Sequence, residues 1–165
     1  MIAMKTLVLI RHAKSDWENG LLQDIERPLN ERGYSAANLM SRRLGLVPDL
    51  ILTSPAVRAA STALIFARNL GYDANRIRIR KELYESSVRT YLNTVRQVED
   101  TFQTVLLFGH NPIISDTAAQ LCPEMPAEMP TCAVVRIAFP SPTWQGIAPG
   151  SGRLVLFDYP KKGTE

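Results

Sequence analysis

Histidine occurs only twice in the chain, as His12 and His110. Both copies stand directly behind short apolar runs, Lys5–Ile10 (KTLVLI) and Thr104–Phe108 (TVLLF). Arg11 precedes the first of them. Arg58 follows a third run, Leu50–Leu52, within Thr53-Ser54-Pro55-Ala56-Val57-Arg58. One such histidine would ordinarily be a surface or structural imidazole; two of two in equivalent places, with arginines beside them, point to chemistry. A neutral imidazole is a nucleophile near pH 7, because its unperturbed pKa is about 6.5. Guanidinium groups hold oxyanions through paired N–H donors and offset their charge. These residue types suit phosphoryl transfer through a histidine: one imidazole attacks, the arginines hold the equatorial oxygens, and the second imidazole donates to another oxygen. A metal site is the rival reading. It calls for a third His, Cys or carboxylate ligand at suitable spacing, and arginines beside the histidines would repel a divalent cation.

The elements that must position these residues follow from hydrophobic periodicity. Lys5–Ile10, Leu50–Leu52, Thr104–Phe108, Ala133–Ala138 and Arg153–Phe157 read as strands, the nearly continuous apolar runs being those expected of strands buried on both faces. Helical periodicity lies between them. Glu31–Leu44 carries Ala36, Met40 and Leu44 on one face and is stopped by Gly45. Ser54-Pro55 reads as a cap followed by proline in the first turn, opening a helix with Ala56, Ala60, Ala63, Leu64 and Ala67 inward. Ser87–Val98 stripes Val88, Tyr91, Leu92, Val95 and Val98. Asn111-Pro112 repeats the cap-and-proline signal for a helix to about Leu121. Strands alternating with helices predict a three-layer α/β/α sandwich on a mostly parallel sheet. Ligands of such sheets bind outside the carboxyl ends of the strands, which is where His12, His110, Arg11 and Arg58 fall. Arg58 lies in the first turn of its helix, where the macrodipole disfavours a cation; an anion shared with the helix N-terminus would remove that conflict.

Composition narrows the class. The 165 residues suffice for one domain with a substantial core, and a single domain over 1–165 is expected. With 45% hydrophobic and 21% charged residues the chain is neither disordered nor fibrous. No apolar run approaches the roughly 20 residues that span a bilayer, and Met1–Ile10 lacks the features of a signal peptide. Cys122 and Cys132 lack the spacing of a zinc site or disulfide framework, and read as reduced thiols of a cytoplasmic protein. A net charge of +3 and 7% aromatic content argue against nucleic acid. Fourteen arginines against five lysines agree with an anionic ligand without deciding for one.

At Arg11-His12 the sequence resembles the histidine phosphatase superfamily, whose signature is Arg-His-Gly after the first strand, and in particular its small SixA-type phosphohistidine phosphatase branch. The resemblance runs along nearly the whole chain: LVLIRHAKSDW at 7–17, Asp24 with Arg27-Pro28-Leu29 and Gly33, LTSPAVRAASTA at 52–63, ELY at 82–84, VLLFGHNP at 105–112, MPTCAV at 129–134 and GRLVLF at 152–157. It implies that His12 is the phosphorylated nucleophile, that Arg11 and Arg58 bind phosphate, and that His110 is the second histidine of the pocket. By the same resemblance Arg27 adds a phosphate contact, and Glu82 falls where larger relatives place a proton-donating glutamate, with Glu85 as competitor. Ala13 replaces the glycine of the triad.

Nothing in the resemblance requires a metal or other cofactor. The chain lacks the large insertions that cover the sites of mutases and acid phosphatases, which predicts an open site suited to a phosphate displayed on a protein surface; small phosphorylated metabolites need more enclosing contacts. The expected substrate is therefore a phosphohistidine on a histidine phosphotransfer or phosphocarrier protein, and phosphate-like oxyanions should occupy the pocket. A small-molecule phosphomonoesterase and a non-catalytic phosphoprotein-binding module are the competing readings.

Overall fold

The first apolar run leaves neither face to water: Leu7, Val8, Leu9 and Ile10 are wholly inaccessible in β1 (Lys5–Arg11). The computed structural model, which describes residues 4–162, continues with α1 (Glu31–Leu44), β2 (Leu50–Thr53), α2 (Val57–Leu70), β3 (Arg78–Ile79), α3 (Val88–Arg96), β4 (Thr104–Gly109), α4 (Ile113–Leu121), β5 (Val134–Phe139) and β6 (Arg153–Asp158). Residues 1–3, part of the expected leaderless N-terminus, lie outside the described residues.

The six strands form one sheet in the order β3-β2-β4-β1-β5-β6. Strands β1 to β4 run parallel, while β5 is antiparallel to β1 and β6 to β5. Helices cover both faces. Leu7, Leu9, Leu107 and Ile137 point into the layer containing Tyr91 and Val95 of α3 and Ile114 and Ala118 of α4. Val8, Ile10, Leu106 and Phe108 point into the layer containing Ala37 and Met40 of α1 and Ala63 and Phe66 of α2. Period-2 alternation thus survives within runs that look uniformly apolar. Among the described residues no helix is long and apolar enough to cross a membrane. Cys122 and Cys132 are free thiols buried in separate layers.

Gly45 ends α1 as expected, in the left-handed region at φ 60°. The structure adds two caps: Asn30 accepts from Gly33 N at 2.8 Å at the start of α1, and Ser87 caps α3. Other signals differ. Helix α2 begins at Val57 without a side-chain cap, and its buried stripe is Ala59, Thr62, Ala63, Phe66, Ala67 and Leu70. The helix is rotated by about one position from the expected face, which brings Arg58 inward and leaves Ala60 and Leu64 half-buried. Helix α4 begins at Ile113 because Asn111 spends its side chain on Met129 O and on Ser115 Oγ. The edge strand β3 is only two residues long and solvent-exposed, too short for a periodic signal.

Candidate active site

Strands β1 and β4 are neighbours and parallel, so their exits lie side by side: Arg11 is in register with Gly109, and His12 N donates to Gly109 O at 3.1 Å. The two histidines come together there, ring centroids 5.3 Å apart. His12 is 8% exposed. Its Nδ1 lies 2.7 Å from Ala13 O. A carbonyl offers no proton, so Nδ1 carries the hydrogen and Nε2 keeps its lone pair. Ala13 N in turn donates to Thr62 Oγ1, which donates to Arg58 O. The ring orientation of His12 is thereby tied to the helix that carries Arg58.

His110 is held in the opposite tautomer. Its Nε2 lies 2.7 Å from Ser54 Oγ, and its Nδ1 faces Arg58 Nη2 at 3.5 Å. A guanidinium has no lone pair, so Nδ1 is the acceptor and Nε2–H donates to the serine. Ser54, expected from sequence to cap α2, does not cap it but accepts from Ala56 N and fixes this imidazole. Tyr91 supports it from the other side: the tyrosine OH donates to Leu83 O and accepts from His110 N. The close approach requires Gly109, where a Cβ would stand 2.4 Å from the Tyr91 oxygen.

Electrostatics make both imidazoles neutral. Burial, with smaller contributions from His110, Arg58 and Arg11, pushes the His12 pKa down to about 3. His110 falls to about 4, mainly through burial and then the charge of Arg58. A neutral nucleophilic nitrogen amid fixed positive charge is an arrangement that a phosphoryl anion completes. Arg11 donates to Met129 O through Nη1, and the Nε atoms of Arg11 and Arg58 are buried without hydrogen-bond partners. Unsatisfied buried guanidinium donors fit an oxyanion better than a cation. Among the described residues no group of three His, Cys, Asp or Glu could hold a metal.

Asp24, given no role in the sequence analysis, stands at the centre of the cationic cluster. Its Oδ1 accepts from Arg27 Nε and Nη2, and its Oδ2 accepts from Arg58 Nη2 at 3.0 Å and from Tyr84 OH at 2.7 Å. These donors hold the carboxyl well below its ordinary range, the tyrosine bond being the largest cause. Burial, with the Asp24 bond next, pushes the Tyr84 phenol up to about 12. Arg27 is buried, donates to Ser15 Oγ at 2.6 Å, and stacks 3.3 Å from the ring centroid of Trp17. The Asp24–Arg27 pair was legible as an i, i+3 spacing. Its union with Arg58 and Tyr84 was not, since those partners are 34 and 60 residues away.

Glu82, expected as the proton donor, is not brought to this cluster. It sits on the short turn after β3, its carboxylate taken by Arg80 Nε at 2.7 Å. Glu85 instead lines the cavity of about 340 Å³ beside Asp24, Arg58, Tyr84 and His110. Glu85 is held at φ 50° and Cys132, whose N–H donates to His12 O, at φ 61°. Non-glycine residues adopt that region at a cost, and tend to be found there at functional sites. Among the described residues no lid covers this end of the sheet.

Known proteins share this fold. The family model of the histidine phosphatase superfamily (branch 1) matches residues 7–105. The uncharacterized protein Rv1276c of Mycobacterium tuberculosis is 32% identical over 167 residues, covering 92% of this chain and all of that one. The SixA protein of Agrobacterium tumefaciens superposes with a TM-score of 0.76 at 30% identity, covering 94% of this chain and 98% of its own. That of Nakamurella multipartitia gives 0.80 at 27% identity, covering 96% and 97%. A protein histidine phosphatase SixA complexed with tungstate shares the fold at 0.79 and 21% identity, covering 94% and 97%.

Proposed function

The chain belongs to the histidine phosphatase superfamily, and from that premise we propose that it is a cytoplasmic protein phosphohistidine phosphatase, acting on a phosphotransfer or phosphocarrier protein. The observation that carries this reading is the His12 imidazole: buried, neutral, with Nδ1 committed to Ala13 O and Nε2 free among Arg11, Arg58 and His110.

In the proposed reaction Nε2 of His12 attacks phosphorus while the bond to the substrate's imidazole nitrogen breaks. The electron pair of that bond stays on the departing ring. Because the ring's second nitrogen already holds a proton, it leaves as a neutral imidazole and needs little help from an acid. Arg11 and Arg58 bind the phosphoryl oxygens, with Arg27 as a further contact. The added negative charge raises the affinity of His110 for a proton, making its Nδ1 a donor to the phosphoryl group. Water then attacks phospho-His12, restoring the imidazole and releasing inorganic phosphate.

The lack of an enclosing lid among the described residues, and the engagement of Glu82 by Arg80, favour phosphohistidine over an ester. An alkoxide leaving group needs a positioned acid, for which Glu85 is the available carboxyl. The test is a side-by-side turnover assay with a phosphohistidine protein, a phosphoserine peptide and a sugar phosphate. The phosphohistidine protein should be hydrolysed fastest; faster turnover of the sugar phosphate would replace this reading with that of a small-molecule phosphomonoesterase.

A further inference from the structure

The carboxylates around the phosphoryl site differ in what they have left to offer. Both oxygens of Asp24 are taken, by Arg27, Arg58 and Tyr84, and Glu82 is held by Arg80. Glu85 is exposed, and among the described residues its carboxylate makes no hydrogen bond or ion pair. Its backbone is nonetheless held at φ 50°, a region that a residue with a Cβ adopts at a cost.

The cavity of about 340 Å³ that Glu85 lines meets the phosphoryl site at Arg58 and His110, and neither His12 nor Arg11 lines it. Attacking and leaving atoms stand on opposite sides of phosphorus. With His12 as nucleophile, the departing group therefore extends into this cavity. Tyr84 gives it an aromatic wall, edge-to-face with the His110 ring at 5.6 Å and tethered through its OH to Asp24; a planar ring packs well against such a wall. The charged and titratable groups that share the cavity with Glu85 are Asp24, Arg58, His110, Tyr84 and Tyr91. Arg58 is already engaged by Asp24, and the Tyr91 OH is spent on Leu83 O and His110 N. The two phenols are pushed up to about 12 and stay neutral. Glu85 is thus an acceptor at the mouth of the cavity with no donor from the protein.

We propose that the Glu85 carboxylate accepts the ring N–H of the substrate's phosphohistidine, and so selects an imidazole leaving group over an alkoxide. The inference rests on the phosphohistidine reading and deepens it by naming the residue that recognises the departing ring. An imidazole nitrogen titrates near pH 6.5, so above neutrality the substrate ring would lose the proton that makes it a good leaving group. A carboxylate at the far nitrogen keeps that proton in place. As Nε2 of His12 bonds to phosphorus, the electron pair of the P–N bond passes to the ring nitrogen. The proton remains on the other nitrogen, facing Glu85, and the ring departs as neutral imidazole. Glu85 begins and ends the step as a carboxylate. An ester has no such N–H and gains nothing from an ionised Glu85.

The experiment measures kcat against pH from 6 to 9 for wild type, Glu85→Gln and Glu85→Asp, on a histidine phosphotransfer domain phosphorylated at histidine. Loss of a partly exposed charge should move the alkaline limb of Glu85→Gln down by about one pH unit, which is a loss of about tenfold at pH 8 to 9 and much less at pH 6. Glu85→Asp keeps the charge and should keep the wild-type limb. Tungstate inhibition, followed over the same range, reports His110 and the arginines with no leaving group present, and its pH profile should keep its shape in Glu85→Gln. An unmoved limb, or a loss equal at every pH, overturns the assignment and leaves the phosphohistidine reading in place. A loss greatest at pH 6 overturns it in favour of Glu85 as a proton donor, and a tungstate profile that moves with the kcat limb overturns it in favour of an effect through His110. Failure of wild type to hydrolyse the phosphohistidine domain overturns the phosphohistidine reading itself, and the assignment with it.

Discussion

Replacing Asp24 by asparagine removes one negative charge from the centre of the anion site while leaving an oxygen that can still accept from Arg27 or Arg58. In the folded protein this carboxylate competes with any oxyanion for the same guanidinium groups, at 3.0 Å from Arg58 and 3.0 Å from Arg27. A unit charge about 5 Å from a bound anion is worth about 3 kcal/mol at an effective dielectric constant of about 20, and about 0.8 kcal/mol in water. The Asp24 side chain is half exposed, so the smaller end governs and about 1 kcal/mol is expected, or about fivefold in affinity. Asp24→Asn should therefore bind vanadate and inorganic phosphate about fivefold more tightly, read as a lower inhibition constant. Turnover should fall, because product leaves more slowly and Tyr84 and Arg58 lose their shared anchor. Equal or weaker vanadate affinity in a folded variant would refute the competition argument and leave Asp24 with a purely positioning role.

Three further outcomes follow from the same geometry. Ser54→Ala deprives the buried Nε2–H of His110 and the Ala56 N–H of their acceptor, so stability measured by urea unfolding should fall by about 1–3 kcal/mol, with a loss in kcat; an unchanged kcat would remove the serine from the argument. Both imidazoles are held neutral when folded, at about 3 and about 4, but take up protons near pH 6.5 when unfolded. The unfolded state then binds more protons between about pH 6.5 and 4, so stability should drop as pH falls through that window, with the depressed Asp24 carboxyl adding to the loss below about pH 4; equal stability at pH 7 and 5 would contradict the neutral assignments. Dialysis against EDTA should leave turnover unchanged, and a loss restored by one divalent ion would count against the arginine-based mechanism.

Local signals in the sequence carried much of this structure, and long-range ones did not. The β1 and β4 runs and the stop at Gly45 were readable because each depends on a few adjacent residues. The exits of β1, β2 and β4 were sufficient to bring His12, Arg11, Arg58 and His110 into one candidate cluster. The facing of α2 was misjudged because alanines and leucines on both sides of the helix satisfy the same period; burial of Phe66 and Thr62 decides the rotation. The antiparallel direction of β5 has no signature in an apolar run. The choice between Glu82 and Glu85 depends on where a three-residue turn aims its side chains, and Arg80 draws Glu82 away. Asp24 was visible in its motif, but its role arises only when three distant segments meet.

The central claim is that Nε2 of His12 takes the phosphoryl group. Rapid quenching of the enzyme with an isotopically labelled phosphohistidine protein, followed by mapping of the acid-labile label, tests it directly. The label should reside on His12, on the Nε2 isomer because Nδ1 is committed to Ala13 O, and should vanish together with turnover in His12→Ala. Label on Nδ1 or on another residue, or an active His12→Ala enzyme, would contradict the account.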